Sequence, residues 1–198
     1  MSLFGINVAY FIAGMGVLGI ILGFAAQDTL GNLFAGIFLL ADNPFLVGDY
    51  IMLAGDNTVY QVVKVGARST KLYNLFEHTL EIVPNRYLAD SRIINMVRPD
   101  MKYKISIDVG VSYGSDVKKV MDILYEVAME HPNVLKEEPH EPVVRFVNFG
   151  ESSLDFKLIV WVDNMMNQWK VGSELRQRIL ERFREEGIEI PFPQMDIH

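Results

Sequence analysis

The residue types that most often carry chemistry are present in this chain, but their spacing does not form a catalytic or ligand site. Gly14, Gly16 and Gly19 match the dinucleotide-binding pattern G-x-G-x-x-G. No strand is predicted before them, and no acidic residue follows at the distance needed to hold a ribose, so we interpret this match as accidental. The chain has no cysteine, which excludes a disulfide framework, a thiolate metal site and a cysteine nucleophile.

The histidines and carboxylates also lack the spacing of an active site. The four histidines form no H-x-x-x-H pair; they are His78, His131, His140 and His198. No serine stands in G-x-S-x-G, and there is no phosphate-binding P-loop. We therefore predict that the protein is not an enzyme and holds neither a metal nor a cofactor. Its net charge of −7 argues against nucleic acid as a partner.

The most informative feature is the absence of charge at the start of the chain. Residues 1–27 contain no Asp, Glu, Lys or Arg. As a helix rising about 1.5 Å per residue, the run from Leu3 to Ala26 would span about 36 Å, and a bilayer core is about 30 Å thick. A signal peptide would begin with charge and have a shorter apolar run, and a buried soluble helix is rarely this long without charge. We predict a transmembrane helix over 1–27.

Two sets of residues on this helix suggest a role beyond anchoring. Gly16, Gly19 and Gly23 recur at i, i+3 and i+7, which gives one face without side chains. Such a face suits close contact between helices in lipid. Ile20 and Phe24 form an i, i+4 pair on the neighbouring face.

Polar residues then interrupt the apolar run. We predict a second, amphipathic helix over 28–43, set at an angle to the first, with the bend at Gln27-Asp28 or at Gly31. Asp28 or Thr29 would cap its start. The pair Asn43-Pro44 would end it.

Two further domains are expected after this helix. Residues 44–98 follow a period of two, and five short strands with turn residues between them suggest a small barrel-like sheet. Pro84-Asn85 is predicted to start a tight turn. Residues 99–187 have the order β-α-β-β-α, which is typical of a ferredoxin-like α+β domain. A tail over 188–198 carries Pro191 and Pro193.

Some residues keep two interpretations. The arginines of the β-domain would either form surface ion pairs or contact anionic lipid headgroups beneath the membrane; they are Arg68, Arg86, Arg92 and Arg98. Trp161 and Trp169 are expected in the core or at a contact between subunits.

Several blocks of sequence resemble one family of membrane proteins. The segments GFAAQDTLGNLFAG (23–36) and NPFLVGDYI (43–51) are similar to the pore-lining helix and its sequel in small-conductance mechanosensitive channels, the MscS-like family. VGARST (65–70) and IVPN (82–85) resemble the β-domain of that family, and IPFPQM (190–195) resembles its C-terminal end. The blocks occur in the order that the family has.

The resemblance implies a homoheptamer in the inner membrane of a prokaryote, surrounded by membrane lipid. Its fold would be α plus β: one transmembrane pore-lining helix, a small Sm/SH3-like β-domain, a ferredoxin-like domain, and a C-terminal strand (188–198) that joins a barrel. The C-terminal domains would form a cytoplasmic cage. Two further membrane helices would precede this chain, so we expect it to be part of a longer protein.

The function implied is an ion channel opened by membrane tension, which passes ions and small solutes for protection against osmotic stress. Ile20 and Phe24 would take the positions of the two constriction rings, which are commonly leucines in the family. The alternative is a membrane-anchored oligomeric scaffold without conduction.

Simple geometry agrees with a gate at these two residues. Seven parallel helices packed at about 8 Å would have their axes on a ring of about 9 Å radius. Backbone and side chains would occupy about 5 Å of that radius. The remaining opening, lined by Ile20 and Phe24, would exclude water and hence ions. Asp28 would form a ring of carboxylates at the inner mouth that favours cations, unless it serves as the helix cap instead.

Overall fold

The computed structural model describes residues 2–3 and 6–192, with side chains from residue 10 onward. The chain divides into two compact units, Met1–Met96 and Val97–His198. Each unit has its own hydrophobic core.

The first unit begins with a long helix. Two short strands, β1 (Ser2–Leu3) and β2 (Ile6–Asn7), pair antiparallel and lead into α1 (Val8–Asp42). Asn43 follows with a left-handed φ of 47°, and Pro44 comes next, so the helix ends where the sequence predicts.

The predicted division into two helices is not found, because α1 runs without a break through Gln27, Asp28 and Gly31. None of these residues lacks a backbone N–H, and a glycine within a helix costs only about 1 kcal/mol relative to alanine. Polar residues therefore interrupt the apolar pattern here without ending the helix. The assignment of 1–27 and 28–43 to separate functional segments stays a prediction.

The β-domain is a five-stranded antiparallel sheet. Its strands lie in the order β6-β5-β4-β3-β7, and their bounds are β3 (Tyr50–Leu53), β4 (Tyr60–Val65), β5 (Ser69–Asn74), β6 (Thr79–Pro84) and β7 (Ile93–Asn95). Leu39 of α1 joins the core of this domain, together with residues from the loop after α1, the strands and the following helix: Phe45, Ile51, Leu53, Tyr60, Val62, Leu72 and Leu88.

A short helix, α2 (Asn85–Asp90), stands where the sequence predicts a tight turn. That prediction is wrong for a physical reason. Pro84 precedes the helix with φ −58° and ψ 137°. Proline suits the start of a helix because its φ is already restricted and its missing N–H has no partner to lose there.

The second unit has the predicted order β-α-β-β-α. Its elements are β8 (Tyr103–Val111), α3 (Val117–Glu130), β9 (Val143–Phe149), β10 (Leu154–Val162), a 3₁₀ turn (Met165–Asn167) and α4 (Gln168–Glu185). The sheet is antiparallel with β10 in the centre. Alternate residues of β10 are buried against the core that α3 and α4 complete.

The tail leaves α4 through Gly187, which has a left-handed φ of 67°. The Ser112 N–H then donates to the Glu189 carbonyl at 2.9 Å, which ties the start of the tail to the end of β8. Residues 188–192 form neither helix nor strand. The predicted barrel strand over 188–198 lies partly outside the described residues, which end at 192.

Candidate functional site

The predicted gate lies on the exposed part of α1. Tyr10–Asp42 is apolar and long enough to cross a membrane, and its most apolar window is not buried at all. Ile20 is 61% exposed and Phe24 is 72% exposed. They lie one turn apart on one face of the helix. Within a single chain this apolar surface is open, and either lipid or further copies must cover it.

The predicted packing face is open as well. A Cβ placed on Gly16, Gly19 or Gly23 would meet no heavy atom within 4 Å. The contact that these glycines are proposed to make therefore has room to form with another helix. The described chain does not itself supply that helix.

The last third of α1, by contrast, is docked on the β-domain. Asn32, Ala35, Gly36 and Leu39 recur at helical spacing and form one partly or fully buried stripe. This stripe faces α2 and the loop between β4 and β5. The rest of this helix surface carries exposed apolar side chains, namely Leu30, Leu33, Phe34, Ile37, Phe38 and Leu40.

Gly36 allows the closest contact of this docking surface. A Cβ at this position would lie 2.5 Å from the Ala67 carbonyl oxygen and 2.5 Å from the Asn85 Nδ2. Real Cβ atoms do not approach other atoms so closely. Glycine is therefore required here by the approach of α1 to the loop and to α2.

The Asn85 side chain binds the loop between β4 and β5. Its Nδ2 donates to the carbonyls of Gly66 at 2.8 Å and Ala67 at 3.1 Å, and its Oδ1 accepts from the Thr70 hydroxyl at 2.9 Å. Both Asn85 and Thr70 are fully buried. The Asn85 backbone N–H also donates to the Arg68 carbonyl at 3.0 Å. A buried polar group is stable only when it is paired, and both Asn85 side-chain polar atoms have partners.

Asn32 connects α1 to the first turn of α2. Its Oδ1 accepts from the Arg86 backbone N–H at 3.1 Å, while its Nδ2 donates to the Asp28 carbonyl at 2.9 Å. Pro84, the N-cap of α2, makes no side-chain capping bond. Asn32 therefore satisfies one of the N–H groups that a helix start leaves without a partner.

Asp28 lies within α1, so the prediction that it caps a helix start is wrong. Its side chain is 94% exposed, and its Oδ1 lies 3.6 Å from the Arg86 Nη1. Arg86 Nε in turn lies 3.7 Å from the Asp90 Oδ2. Arg86 thus forms ion pairs, which is one of its two predicted roles; its contact with lipid headgroups stays a prediction. Gly31 lies beside the Arg86 side chain, because its Cβ position is 3.5 Å from the Nη1.

The other candidate residues do not form a site. The described histidines have structural partners. His78 bonds to the Tyr73 hydroxyl, His131 to the Glu174 carboxylate and the Asn133 backbone N–H, and His140 packs on the ring of Trp161. His198 lies outside the described residues. Across the described part of the chain, no group of three His, Cys, Asp or Glu could hold a metal ion.

Sequence reasoning missed Asn32, Gly36 and Asn85 as functional positions. The sequence did contain one indication of a contact surface, since Asn32 and Gly36 lie four residues apart in an otherwise apolar stretch. Their partners lie far away in sequence, so only the folded chain identifies the contact.

Comparison with known proteins extends over both units. The family description "Mechanosensitive ion channel, beta-domain" matches residues 28–98, and "Mechanosensitive ion channel MscS, C-terminal" matches residues 105–190. The small-conductance mechanosensitive channel MscMJ of Methanocaldococcus jannaschii is 32% identical over 203 residues. That alignment covers 100% of this chain but 56% of the relative, so the chain spans about half of its length.

A bacterial relative is matched over more of its length. The small-conductance mechanosensitive channel of Helicobacter pylori is 31% identical over 197 residues, which cover 100% of this chain and 70% of the relative. The crystal structure of Helicobacter pylori MscS in its closed state has a TM-score of 0.89 and 30% identity. It is matched over 98% of this chain and 74% of that chain.

Proposed function

Because this chain belongs to the MscS family of mechanosensitive channels, we propose that its protein is an ion channel that membrane tension opens, and that it passes ions and small solutes to relieve osmotic stress. One observation carries the proposal. α1 carries no charged residue from Val8 to Gln27, its most apolar window is exposed, and its last third is docked on a folded domain. A helix that served only as a tether would need no such docking.

The gate is assigned to Ile20 and Phe24. In a ring of identical helices, their exposed side chains would line a narrow apolar constriction, from which water is excluded when the ring is tight. Seven copies are proposed from the family resemblance. Phe24 is larger than the leucine common at its position, which favours a tight closed pore.

Tension favours the state that occupies the larger area in the membrane. The faces formed by Gly16, Gly19 and Gly23 would let neighbouring helices slide and tilt with little steric cost. The docked third of α1 would stay with the β-domain and give the moving part a fixed base. We propose that the change of direction, where one occurs, lies at Gln27, Asp28 or Gly31, just before the docked stripe.

The protein is a membrane protein by its family and by its apolar helix. We place it in the inner membrane of a prokaryote, with the β-domain and the second unit in the cytoplasm. Its partners would be further copies of itself, membrane lipid, and the ions and small solutes that it passes. No cofactor is part of this mechanism.

The test is patch-clamp recording of the full-length protein while suction is applied. The proposal predicts currents that begin at a reproducible pressure. Gly19→Leu should raise that pressure or abolish opening, because it fills the packing face. Gly14→Leu is the matched control, since Gly14 lies on the opposite side of α1 and also has open space around it.

Two results would contradict the proposal. Patches that stay silent at every pressure short of rupture would favour the non-conducting scaffold. Equal effects of the two glycine substitutions would remove the packing face from the mechanism. Mass measurement of the detergent-solubilised complex would separately establish the number of copies.

A further inference from the structure

We propose that Arg86 is a built-in counter-ion for Asp28, and that this pair sets the charge preference of the inner mouth of the pore. The inference rests on the proposed channel function and adds to it the residues that determine ion selectivity. Asp28 follows Ile20 and Phe24 by eight and four residues. These three residues occupy successive turns of one helix face, so Asp28 is the first ionisable side chain below the gate.

The half-exposed Arg86 side chain lies beside α1, next to Asp28. Its backbone N–H is held by Asn32, one turn after Asp28 on α1. Its guanidinium lies between two carboxylates, 3.6 Å from Asp28 and 3.7 Å from Asp90. The arginine side chain also passes beside Gly31, where a Cβ would make ordinary van der Waals contact with it at 3.5 Å from the Nη1.

An exposed ion pair of this kind adds little to stability, because water screens it. The pair can still change the local concentration of passing ions, because a charge acts over a Debye length of about 8 Å at physiological ionic strength. Asp28, Arg86 and Asp90 together carry one net negative charge per subunit. Loss of Arg86 would leave two negative charges, and loss of Asp28 would leave none. In a ring of copies each change is repeated at the narrow inner mouth.

The experiment measures the reversal potential of the full-length channel under a KCl gradient. Arg86→Gln should raise the cation-to-anion permeability ratio at least about twofold. A unit charge within about one Debye length of a passing ion changes the local ion concentration by about that factor. Asp28→Asn should shift the ratio in the opposite direction. The double variant Asp28→Asn/Arg86→Gln restores one net negative charge and should return close to the wild-type ratio. Arg86→Lys, which keeps the charge, should also stay near wild type.

The matched control is Arg92→Gln, which removes an equally charged, exposed side chain of the same domain that does not contact Asp28. A smaller shift in the reversal potential is expected from it than from Arg86→Gln.

Equal shifts in the two variants, or no shift in either, would overturn the inference while leaving the channel function intact. Dependence of gating on anionic lipid that is lost in Arg86→Gln, with an unchanged reversal potential, would also overturn it and assign Arg86 to the headgroups. Wild-type patches that never conduct would instead overturn the proposed function, and the inference with it.

Discussion

Gly36 of α1 lies so close to Asn85 of α2 that a side chain on Gly36 would collide with the Asn85 amide, at 2.5 Å from its nitrogen. The same amide binds the loop between β4 and β5 through Gly66 and Ala67. One buried side chain therefore organises both the loop and the surface on which the helix docks. In a channel of this design, force on α1 would be resisted at this contact.

We expect Gly36→Ala to weaken the docking. The added methyl group has no space, and overpacking of this kind typically costs about 1–3 kcal/mol. Urea denaturation of the detergent-solubilised protein, followed by circular dichroism, would measure the loss. The matched control is Gly31→Ala on the same face, where the nearest atom is 3.5 Å away. That variant should be neutral or gain up to about 1 kcal/mol from helix propensity. Equal stability of both variants would contradict the close contact.

Replacement of Asn85 by alanine should be more damaging. It leaves the buried Thr70 hydroxyl and two loop carbonyls without their partner, at about 1–3 kcal/mol for each group that stays unpaired. A double-mutant cycle with Thr70→Val tests the pairing, because Thr70→Val should cost less once Asn85 is absent. The expected coupling is about 0.5–3 kcal/mol. Strict additivity would show that the two residues do not act together. Asn148→Ala, at an exposed position of β9, is the control and should change stability by less than about 0.5 kcal/mol.

The capping contact between Asn32 and α2 makes a local prediction. Asn32→Ala removes the acceptor for the Arg86 amide, and loss of a cap typically costs about 1 kcal/mol. If this amide exchanges by local opening, its hydrogen exchange should become about fivefold faster, whereas Asn32→Asp keeps an acceptor and should retain most of the protection. Measurement of exchange at the Arg86 amide in both variants decides the point. Unchanged protection in Asn32→Ala would mean that another group satisfies this N–H.

These contacts explain which parts of the fold could be read from the sequence. The strands follow from local alternation and turn residues, and the apolar helix follows from 27 uncharged positions. α2 could not be foreseen, since a proline followed by an asparagine indicates a turn as readily as a helix start. The docking site could not be foreseen either. Asn32 and Arg86 are separated by 54 positions, so no local pattern links them.

The turn between β3 and β4 gives the domain a pH dependence. The Asp56 carboxylate accepts hydrogen bonds from Thr58 and from the Tyr60 hydroxyl, and these bonds lower the pKa of Asp56 below its usual value. Burial, together with the bond to Asp56, raises the pKa of Tyr60 to about 12. Because the pKa of Asp56 is lowered, the pair stabilises the fold at pH values above the unfolded pKa of 3.8. This stabilisation is lost as the pH falls below that value. Because the pKa of Tyr60 is raised, the pair also stabilises the fold below pH 10. This stabilisation is lost as the pH rises towards 12.

Tyr60→Phe should therefore destabilise the protein by about 1 kcal/mol at neutral pH. The difference from wild type should be constant between about pH 4 and 10 and should shrink on both sides of that window. Denaturation curves of the two proteins across the pH range would measure it. Tyr87→Phe, at an exposed tyrosine on α2, is the control and should show no such profile. A Tyr60→Phe difference that does not depend on pH would contradict the pairing with Asp56.

If Ile20 and Phe24 close the pore by excluding water, the pressure at which the channel opens should depend on the polarity of these two side chains, and Phe24→Ser is the variant to record. A hydroxyl in the constriction should hydrate it, so currents should begin at lower pressure than in wild type or flow without suction. Leu22→Ser carries the same change on the opposite side of α1 and should leave the opening pressure much closer to wild type. An unchanged opening pressure in Phe24→Ser, or an equal decrease in both variants, would contradict the hydrophobic gate.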